Sequence, residues 1–403
     1  MMKHCVLAFS GGLDTSYCVL KLRDEGYRVT TYYVHSGAAD PEAEAKIAAR
    51  AEELGADDHI TEDASEELWS VIVVPFLAGG ARRQGRYPVL CADRSIIAKR
   101  GVALADRVGA DVIAHGCTGM GNDQVRFETE LRAFSERPIL APIRDIQDKE
   151  NVRAYEEEYL RSRGFDVPER ASLFSVNENL LGATLSGGAI DRWEVPSEEA
   201  RVFTGGADEL APGEKEKLTV RFEKGVPVAL LSDGEAVSTS GPEIMRLLNE
   251  KAGRYGIGYD IYTGDTLVGL KGRIVFEAPA LAVLEEAHTS LCEAVSSRAQ
   301  NGFRRKVGEA WCDLIYDGFT ADALRDDLEA YLASSRARTT GEVDVELRAG
   351  AAQAVAVRTD NIPELKGAVY AQKAAWSGGA AQGFTELFGQ ATVLHARAGS
   401  SDG

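Results

Sequence analysis

Residues 9–16 read F-S-G-G-L-D-T-S and follow a short apolar run at residues 5–8. The apolar run predicts a strand, the two glycines predict a tight turn, and the residues that follow predict a helix. A helix that begins directly after such a turn presents unpaired backbone N–H groups and the positive end of its dipole. We expect the hydroxyls of Ser10, Thr15 and Ser16 to face the same space, so the sequence predicts an anion site at this turn.

Composition limits the class of protein. The 403 residues carry 45 Lys and Arg against 63 Asp and Glu, a formal net charge of −18. This charge repels a phosphate backbone and disfavours a nucleic-acid partner. No apolar stretch approaches the roughly 20 residues of a membrane span, and the N-terminal apolar run is too short for a signal peptide. Six cysteines without a C-x-x-C pair indicate reduced thiols in a cytoplasmic protein.

The first part of the chain alternates strand and helix patterns, which predicts a doubly wound, parallel α/β sheet with right-handed crossovers. Ligands bind beyond the carboxyl ends of such strands, where Ser10 and the loop after His115 both fall. Strand patterns occupy residues 3–9, 27–35 and 111–115 and the surroundings of His59, and helix patterns occupy residues 14–25, 41–54 and 93–108.

The pattern changes after about residue 165. Antiparallel strands are predicted within residues 218–231 and 259–275, helices near 241–250 and 279–297, and a hairpin at 341–358. This mixture indicates a second, α+β domain. We therefore predict a first domain at residues 1–165, a second domain at 166–360, and a C-terminal oligomerisation arm at 361–403 that packs on another subunit.

A second glycine-rich segment follows the strand at residues 111–115. Residues 114–128 read A-H-G-C-T-G-M-G-N-D-Q-V-R-F-E. Asn122 and Asp123 could hold an ammonium group, while Arg126 could grip a carboxylate with its planar fork. That combination suits a zwitterionic amino acid.

The loop at residues 9–16 is neither a Walker A loop nor a dinucleotide-binding G-x-G-x-x-G. Its S-G-G-x-D-x-S pattern resembles the pyrophosphate loop of ATP pyrophosphatases. Together with the segment at residues 114–128, it resembles the argininosuccinate synthase family. The resemblance continues at residues 175–180 (S-V-N-E-N-L), 253–258 (G-R-Y-G-I-G), 268–273 (V-G-L-K-G-R) and 276–279 (F-E-A-P).

The resemblance implies a reaction that joins citrulline to L-aspartate while ATP is split into AMP and pyrophosphate. The ureido oxygen attacks the α-phosphate, and the aspartate amine then displaces AMP from the activated carbon. This chemistry requires no protein nucleophile, and orientation together with stabilisation of phosphate charge supplies the catalysis. Mg²⁺ is expected to accompany the triphosphate without a metal site built from protein ligands. The resemblance also implies a homotetramer.

The resemblance assigns three groups of site residues. Those implied for ATP are Ala8, Phe9, Ser10, Gly11, Gly12, Leu13, Asp14, Thr15, Ser16, Val34 and Gly116. Those implied for aspartate are Thr118, Asn122 and Asp123. Those implied for the acceptor are Tyr87, Cys91, Asn122, Arg126, Ser175, Thr184, Gly264 and Phe276.

Departures from the family pattern concentrate at the acceptor. Cys91 and Thr184 stand where the family has serines, Gly264 where it has the glutamate that meets citrulline's ammonium, and Phe276 where it has a tyrosine. Tyr87 matches only with a shift of one residue. Because each lost polar contact leaves a ligand group unpaired, at roughly 1–3 kcal/mol, the sequence favours an acidic carbonyl acceptor (ureido or amide) other than citrulline.

The alternative is an ordinary citrulline-using synthase, with Asp265 replacing the missing glutamate. Two further departures are Met120 for a lysine and His35 for an aspartate. His35 ends a predicted strand near the expected ATP site, where it could contact nucleotide or acceptor. Two other classes stay open: an RNA-modifying ATP pyrophosphatase, and a catalytically silent nucleotide-binding homologue. The acidic charge weighs against the first, and the intact aspartate loop weighs against both.

Overall fold

The computed structural model describes residues 2–37, 41–167 and 174–399. The last four residues of the predicted arm therefore lie outside the described part of the chain. The strands are β1 His4–Ala8, β2 Arg28–His35, β3 Asp58–Asp63, β4 Val112–Ala114, β5 Ile139–Leu140, β6 Ser175–Asn179, β7 Gly182–Ser186, β8 Lys215–Glu223, β9 Val226–Ser232, β10 Glu235–Ser238, β11 Tyr259–Asp265, β12 Lys271–Glu277, β13 Gly341–Arg348 and β14 Ala351–Arg358.

The helices include one π-helical turn, Trp69–Val73, between two short α-helices. The α-helices are α1 Leu13–Asp24, α2 Pro41–Glu53, α3 Ser65–Leu68, α4 Val74–Gly79, α5 Asp93–Val108, α6 Asn122–Phe134, α7 Val152–Arg161, α8 Gly241–Arg254, α9 Pro279–Val295, α10 Arg298–Asp317, α11 Ala323–Ser335, α12 Gly378–Phe388 and α13 Gln390–Gly399.

The first sheet has the order β3-β2-β1-β4-β5, and every neighbouring pair in it is parallel. Alternate residues of β1 enter different cores, since Val6 packs in one apolar cluster and Cys5 and Leu7 pack in another. The predicted doubly wound parallel sheet is thus confirmed. β2 and β3 lie on one side of β1, and β4 and β5 lie on the other. The strand order therefore reverses between β1 and β4, and the crevice where such sheets bind ligands lies at the carboxyl ends of these two strands.

The later part of the chain forms two antiparallel sheets, as predicted. One has the order β10-β9-β8-β13-β14, and the other has the order β11-β12-β7-β6. The hairpin of β6 and β7 and the helices α10 and α11 were not predicted. Gly308 of α10 lies so close to Gly79 of α4 that a Cβ added at either glycine would come within 2.8 Å of the other's backbone. This close packing fixes α10, whose C-terminal end carries Tyr316.

Chain contacts divide the molecule into two compact units, Met1–Asn361 and Ile362–Gly403. The proposed division at residue 165 inside the first unit stays a prediction. In the second unit, α12 exposes Phe384, Leu387 and Phe388 to 63%, 75% and 74%. Among the described residues there is no helix with both the length and the apolar character to span a bilayer.

Candidate active site

A cavity of about 990 Å³ opens at the carboxyl ends of β1 and β4, within the first unit. Segments from many parts of the chain form its walls: the β1–α1 turn, the β4–α6 loop, strands β6, β7, β11 and β12, and the end of α10. The sequence-predicted residues that line it are Ala8, Phe9, Ser10, Gly12, Leu13, Asp14, Thr15, Val34, Tyr87, Cys91, Gly116, Thr118, Asn122, Asp123, Arg126, Ser175, Thr184 and Gly264.

The β1–α1 turn has the backbone that the glycines predict. Gly11 has φ of +76°, in the left-handed region that favours glycine. The Ser10 backbone N–H and hydroxyl both lie 3.4 Å from the Thr15 hydroxyl. No side chain caps the first turn of α1, so the N–H groups of this turn can donate hydrogen bonds to an anion in the cavity.

Ser16 is a correction to the sequence prediction. Its side chain is fully buried, and its hydroxyl accepts a hydrogen bond from Nε of Arg50 at 3.4 Å. Each helix residue is rotated by about 100° from the last, which turns Ser16 away from the wall that Thr15 occupies. Gly11 also does not line the cavity, since a Cβ there would meet Ile47 at 3.5 Å.

Asp123, at the start of α6, lies between two guanidinium groups. Nη1 of Arg126 donates to it at 2.9 Å, and Nε of Arg94 donates at 3.2 Å. Burial would raise the pKa of Asp123, but these two cations hold it below its ordinary value. Arg94 also donates to Asp93 at 2.7 Å and to Asn177 at 2.8 Å. The sequence did not indicate Arg94, which α5 brings in from outside both motifs.

Asn122 connects the loop to the second half of the cavity. Its Oδ1 accepts the backbone N–H of Leu267 at 2.8 Å, and its Nδ2 donates to the hydroxyl of Tyr316 at 3.4 Å. Nε of Arg126 donates to the Tyr316 carbonyl at 2.8 Å. Because both side chains have protein partners, they are fixed in place before a ligand arrives.

An aromatic cluster forms the acceptor end. Tyr87 stacks on Tyr262 with ring centroids 5.1 Å apart and contacts Tyr316 edge-on at 5.9 Å. Phe276 is a correction, because it does not line the cavity. It is fully buried and packs edge-on against Tyr87 at 5.7 Å, so it supports the wall from behind.

The alternative in which Asp265 replaces the missing glutamate has no support from the position of its side chain. Its side chain is more than half exposed and pairs with Lys271, and it is absent from the residues that line the cavity. Neighbouring strand residues point to opposite faces, which separates Asp265 from Gly264. The loop after β7 instead brings Asp191 and Trp193 to the wall, two residues that the sequence did not indicate.

His35, at the end of β2, does not line the cavity. Its Nδ1 lies 3.9 Å from a carboxylate oxygen of Glu44. The expectation that His35 contacts nucleotide or acceptor therefore has no support from its position.

Glu156 of α7 is a buried carboxyl group close to the first turn of α1. One of its oxygens has no hydrogen-bond partner among the described residues. Burial, followed by the charge of Asp14, raises its pKa to about 8, and Arg153 opposes this shift. Glu156 is therefore protonated in the folded protein at neutral pH.

Replacing Glu156 by Gln is expected to make stability less dependent on pH. Between about pH 4.3 and pH 8 the unfolded chain ionises Glu156 while the folded chain does not. Folding therefore takes up a proton, and the wild type loses stability with rising pH by at most about 1.4 kcal/mol per unit. Urea unfolding should show the advantage of Glu156→Gln growing from pH 5 to pH 8 and then levelling. Glu158→Gln, a change at an exposed neighbour, is the control. If the free energies of unfolding of Glu156→Gln and the wild type differed by the same amount at every pH, the raised pKa of Glu156 would be contradicted.

Three features define the class of protein: the parallel sheet, the uncapped start of α1 at the point where the strand order reverses, and the polar loop after the neighbouring strand β4. Together they are typical of an α/β enzyme that uses a nucleotide. Two family models match the chain. Arginosuccinate synthase N-terminal HUP domain matches residues 4–166, and Arginosuccinate synthase C-terminal domain matches residues 174–394.

Whole-chain relatives agree with the family models. The argininosuccinate synthase of Xanthomonas campestris is 46% identical over 98% of both chains. That of Xylella fastidiosa is 44% identical over 99% of this chain and 98% of its own, and that of Methanocaldococcus jannaschii is 38% identical over 88% of both. The chain belongs to the argininosuccinate synthase family, and it is an ATP-dependent carbon–nitrogen ligase.

Proposed function

We propose that the protein condenses citrulline with L-aspartate, with ATP converted to AMP and pyrophosphate. The observation that carries this proposal is the 46% identity, over nearly the full length of both chains, to an enzyme named argininosuccinate synthase. The sequence departures favoured another acceptor, but relatives of this similarity favour citrulline. The position of Phe276 behind the wall weakens the case for another acceptor, whereas the position of Asp265 outside the cavity removes the carboxylate that was expected to replace the glutamate.

The first step activates the acceptor. Its ureido oxygen attacks the α-phosphorus, the bond to the β-phosphate breaks, and pyrophosphate leaves. The N–H groups at the start of α1, with the hydroxyls of Ser10 and Thr15, are placed to hold phosphate oxygens. Among the described residues, no group of three or more His, Cys, Asp or Glu side chains could hold a metal ion. We therefore propose that Mg²⁺ binds through phosphate oxygens and water and neutralises their charge.

The second step joins the two substrates. The aspartate amine attacks the activated ureido carbon, and AMP leaves with the oxygen. Asp123 is ionised and hydrogen-bonded to Arg94 and Arg126, so it is a weak base. We propose that it orients the amine through a hydrogen bond, while remaining N–H donors of the two guanidiniums bind substrate carboxylates.

The products of ATP cleavage test the assignment of the phosphate turn. We expect AMP and pyrophosphate in equal amounts, formed only when citrulline is present, because a cradle without a Walker lysine presents the α-phosphate to the acceptor oxygen. Chromatography of the nucleotide products, with and without aspartate, measures this. ADP and phosphate without AMP would contradict the proposal.

A second candidate function is ligation of aspartate to another acidic ureido or amide compound. The observation that favours it is Gly264, which leaves no carboxylate at that point of the cavity wall. Steady-state kinetics with citrulline and with 5-ureidopentanoate, its desamino analogue, separate the two candidates. Failure with citrulline and turnover of the analogue would establish the second.

We also propose a cytoplasmic homo-oligomer. The support for an oligomer is the apolar face of α12, where Phe384, Leu387 and Phe388 are exposed. Large exposed apolar side chains grouped in this way are typical of a surface that binds another protein chain. Light scattering after size-exclusion chromatography would give the subunit number, and a monomer at micromolar concentration would contradict this proposal.

A further inference from the structure

The ring of Tyr262 occupies the space that a side chain at position 264 would need. Tyr262 and Gly264 lie two residues apart on β11 and therefore point to the same face. A Cβ built on Gly264 would lie 2.3 Å from the Tyr262 hydroxyl oxygen and 2.4 Å from Cζ. Real Cβ atoms do not approach other atoms so closely, so the tyrosine and the glycine form a matched pair.

The hydroxyl of Tyr262 is oriented by a hydrogen bond. It donates its proton to Oε1 of Gln84 at 3.0 Å. The Arg83 guanidinium also faces this hydroxyl, and a phenolic oxygen has two lone pairs, so one of them can accept an N–H from a ligand. Stacking on Tyr87 fixes the ring. Both Tyr262 and Gly264 line the cavity, so this oxygen stands beside the position from which a carboxylate at 264 would reach a ligand.

The charged groups around this oxygen permit a cationic ligand. Arg83 lies nearby, with its guanidinium over the Tyr316 ring at 3.9 Å, but Asp313 at 2.7 Å and Asp317 at 3.8 Å balance its charge.

We propose that Tyr262 is a specificity-determining residue, whose phenolic oxygen accepts a hydrogen bond from the α-ammonium of the acceptor in place of a carboxylate at position 264. This inference rests on the proposed use of citrulline. It explains how a chain that lacks that carboxylate can still select an amino acid rather than its desamino analogue.

The test is Tyr262→Phe, which keeps the ring and its stacking and removes only the hydroxyl. We expect kcat/KM for citrulline to fall roughly 10- to 100-fold through KM, the loss typical of a hydrogen bond to a charged group. Turnover of 5-ureidopentanoate, which has no ammonium, should hardly change. Tyr331→Phe, which removes a phenol outside the cavity, is the control and should change neither.

Other outcomes overturn the proposal. If kcat/KM fell equally for both compounds in Tyr262→Phe, Tyr262 would only shape the cavity wall. If Asp191→Asn lost the preference for citrulline over 5-ureidopentanoate while Tyr262→Phe kept it, Asp191 would be the partner of the ammonium. A wild type that ignores citrulline would instead defeat the proposed function, which is a separate result.

A second comparison tests the matched pair. Gly264→Ala should reduce kcat/KM for citrulline severalfold in the wild type, because the methyl group must displace the Tyr262 ring. In a Tyr262→Val background the same substitution should cost little, because the ring is gone. Equal costs in both backgrounds would contradict the packing on which the proposal stands.

Discussion

Replacing Asp123 by Asn is expected to lower the rate of ligation by about 10²- to 10³-fold, the size of effect that follows loss of one preorganised polar contact in an active site. The amide keeps the shape of the carboxylate but leaves the Arg94 and Arg126 guanidiniums without their shared counter-charge. It also replaces the charged oxygens that we propose orient the aspartate amine with a neutral amide, which keeps only one acceptor oxygen. ATP binding should persist, since the β1–α1 turn that we propose holds the phosphates belongs to a different segment of the chain from α6.

AMP formation with ATP, citrulline and aspartate measures the loss, and calorimetric titration with ATP measures what is retained. Asp148→Asn, an exposed change outside the cavity, is the matched control and should behave as the wild type. A rate in Asp123→Asn within a fewfold of the wild type would remove Asp123 from the aspartate site.

Replacing Glu277 by Ala is expected to lower the free energy of unfolding by about 3–5 kcal/mol. Glu277 is fully buried at the end of β12. Its carboxylate accepts the backbone N–H groups of Val202 at 2.6 Å, Phe203 at 2.7 Å and Thr204 at 3.2 Å, together with the Thr204 hydroxyl. Alanine would leave all of these donors unpaired, at roughly 1–3 kcal/mol for each buried group.

Urea unfolding of Glu277→Ala against the wild type measures this loss. Glu277→Gln should lose less, because its amide oxygen can still accept from some of the donors. Glu235→Ala, on the exposed strand β10, should change stability by less than about 0.5 kcal/mol. A similarly small loss for Glu277→Ala would show that the 202–204 segment does not depend on the carboxylate.

Strand and helix periods predicted the parallel sheet because each βαβ unit is a local pattern with one favoured handedness. The same locality explains which of the predicted site residues lie together. Ser10, Thr15, Asn122 and Asp123 lie in contiguous strand–loop–helix segments, and each lines the cavity. Ser16 was misplaced because the shared motif was given priority over the helical rotation that buries it.

Residues brought in by tertiary packing could not be found in this way. Arg94 and Tyr316 belong to helices whose approach to the cavity no local pattern specifies. Prediction of the acceptor has a further limit, because each position that differs from the family pattern was interpreted without its neighbours in space. Gly264 alone indicates a lost carboxylate, whereas Gly264 beneath the ring of Tyr262 indicates an exchange of one polar group for another. Such an exchange is visible only when both residues are placed in space.

The cavity walls come from residues as far apart in sequence as Ala8 and Tyr316, so a bound substrate links the parallel sheet to the β6–β7 hairpin, to β11 and β12 and to the end of α10. A ligand at 100 times its dissociation constant adds about 2.7 kcal/mol to the free energy of unfolding. That gain approaches the loss expected for Glu277→Ala. A weakened variant of this enzyme could therefore be nearly normal in a substrate-rich cell and unfold in a starved one, with its abundance following metabolite supply.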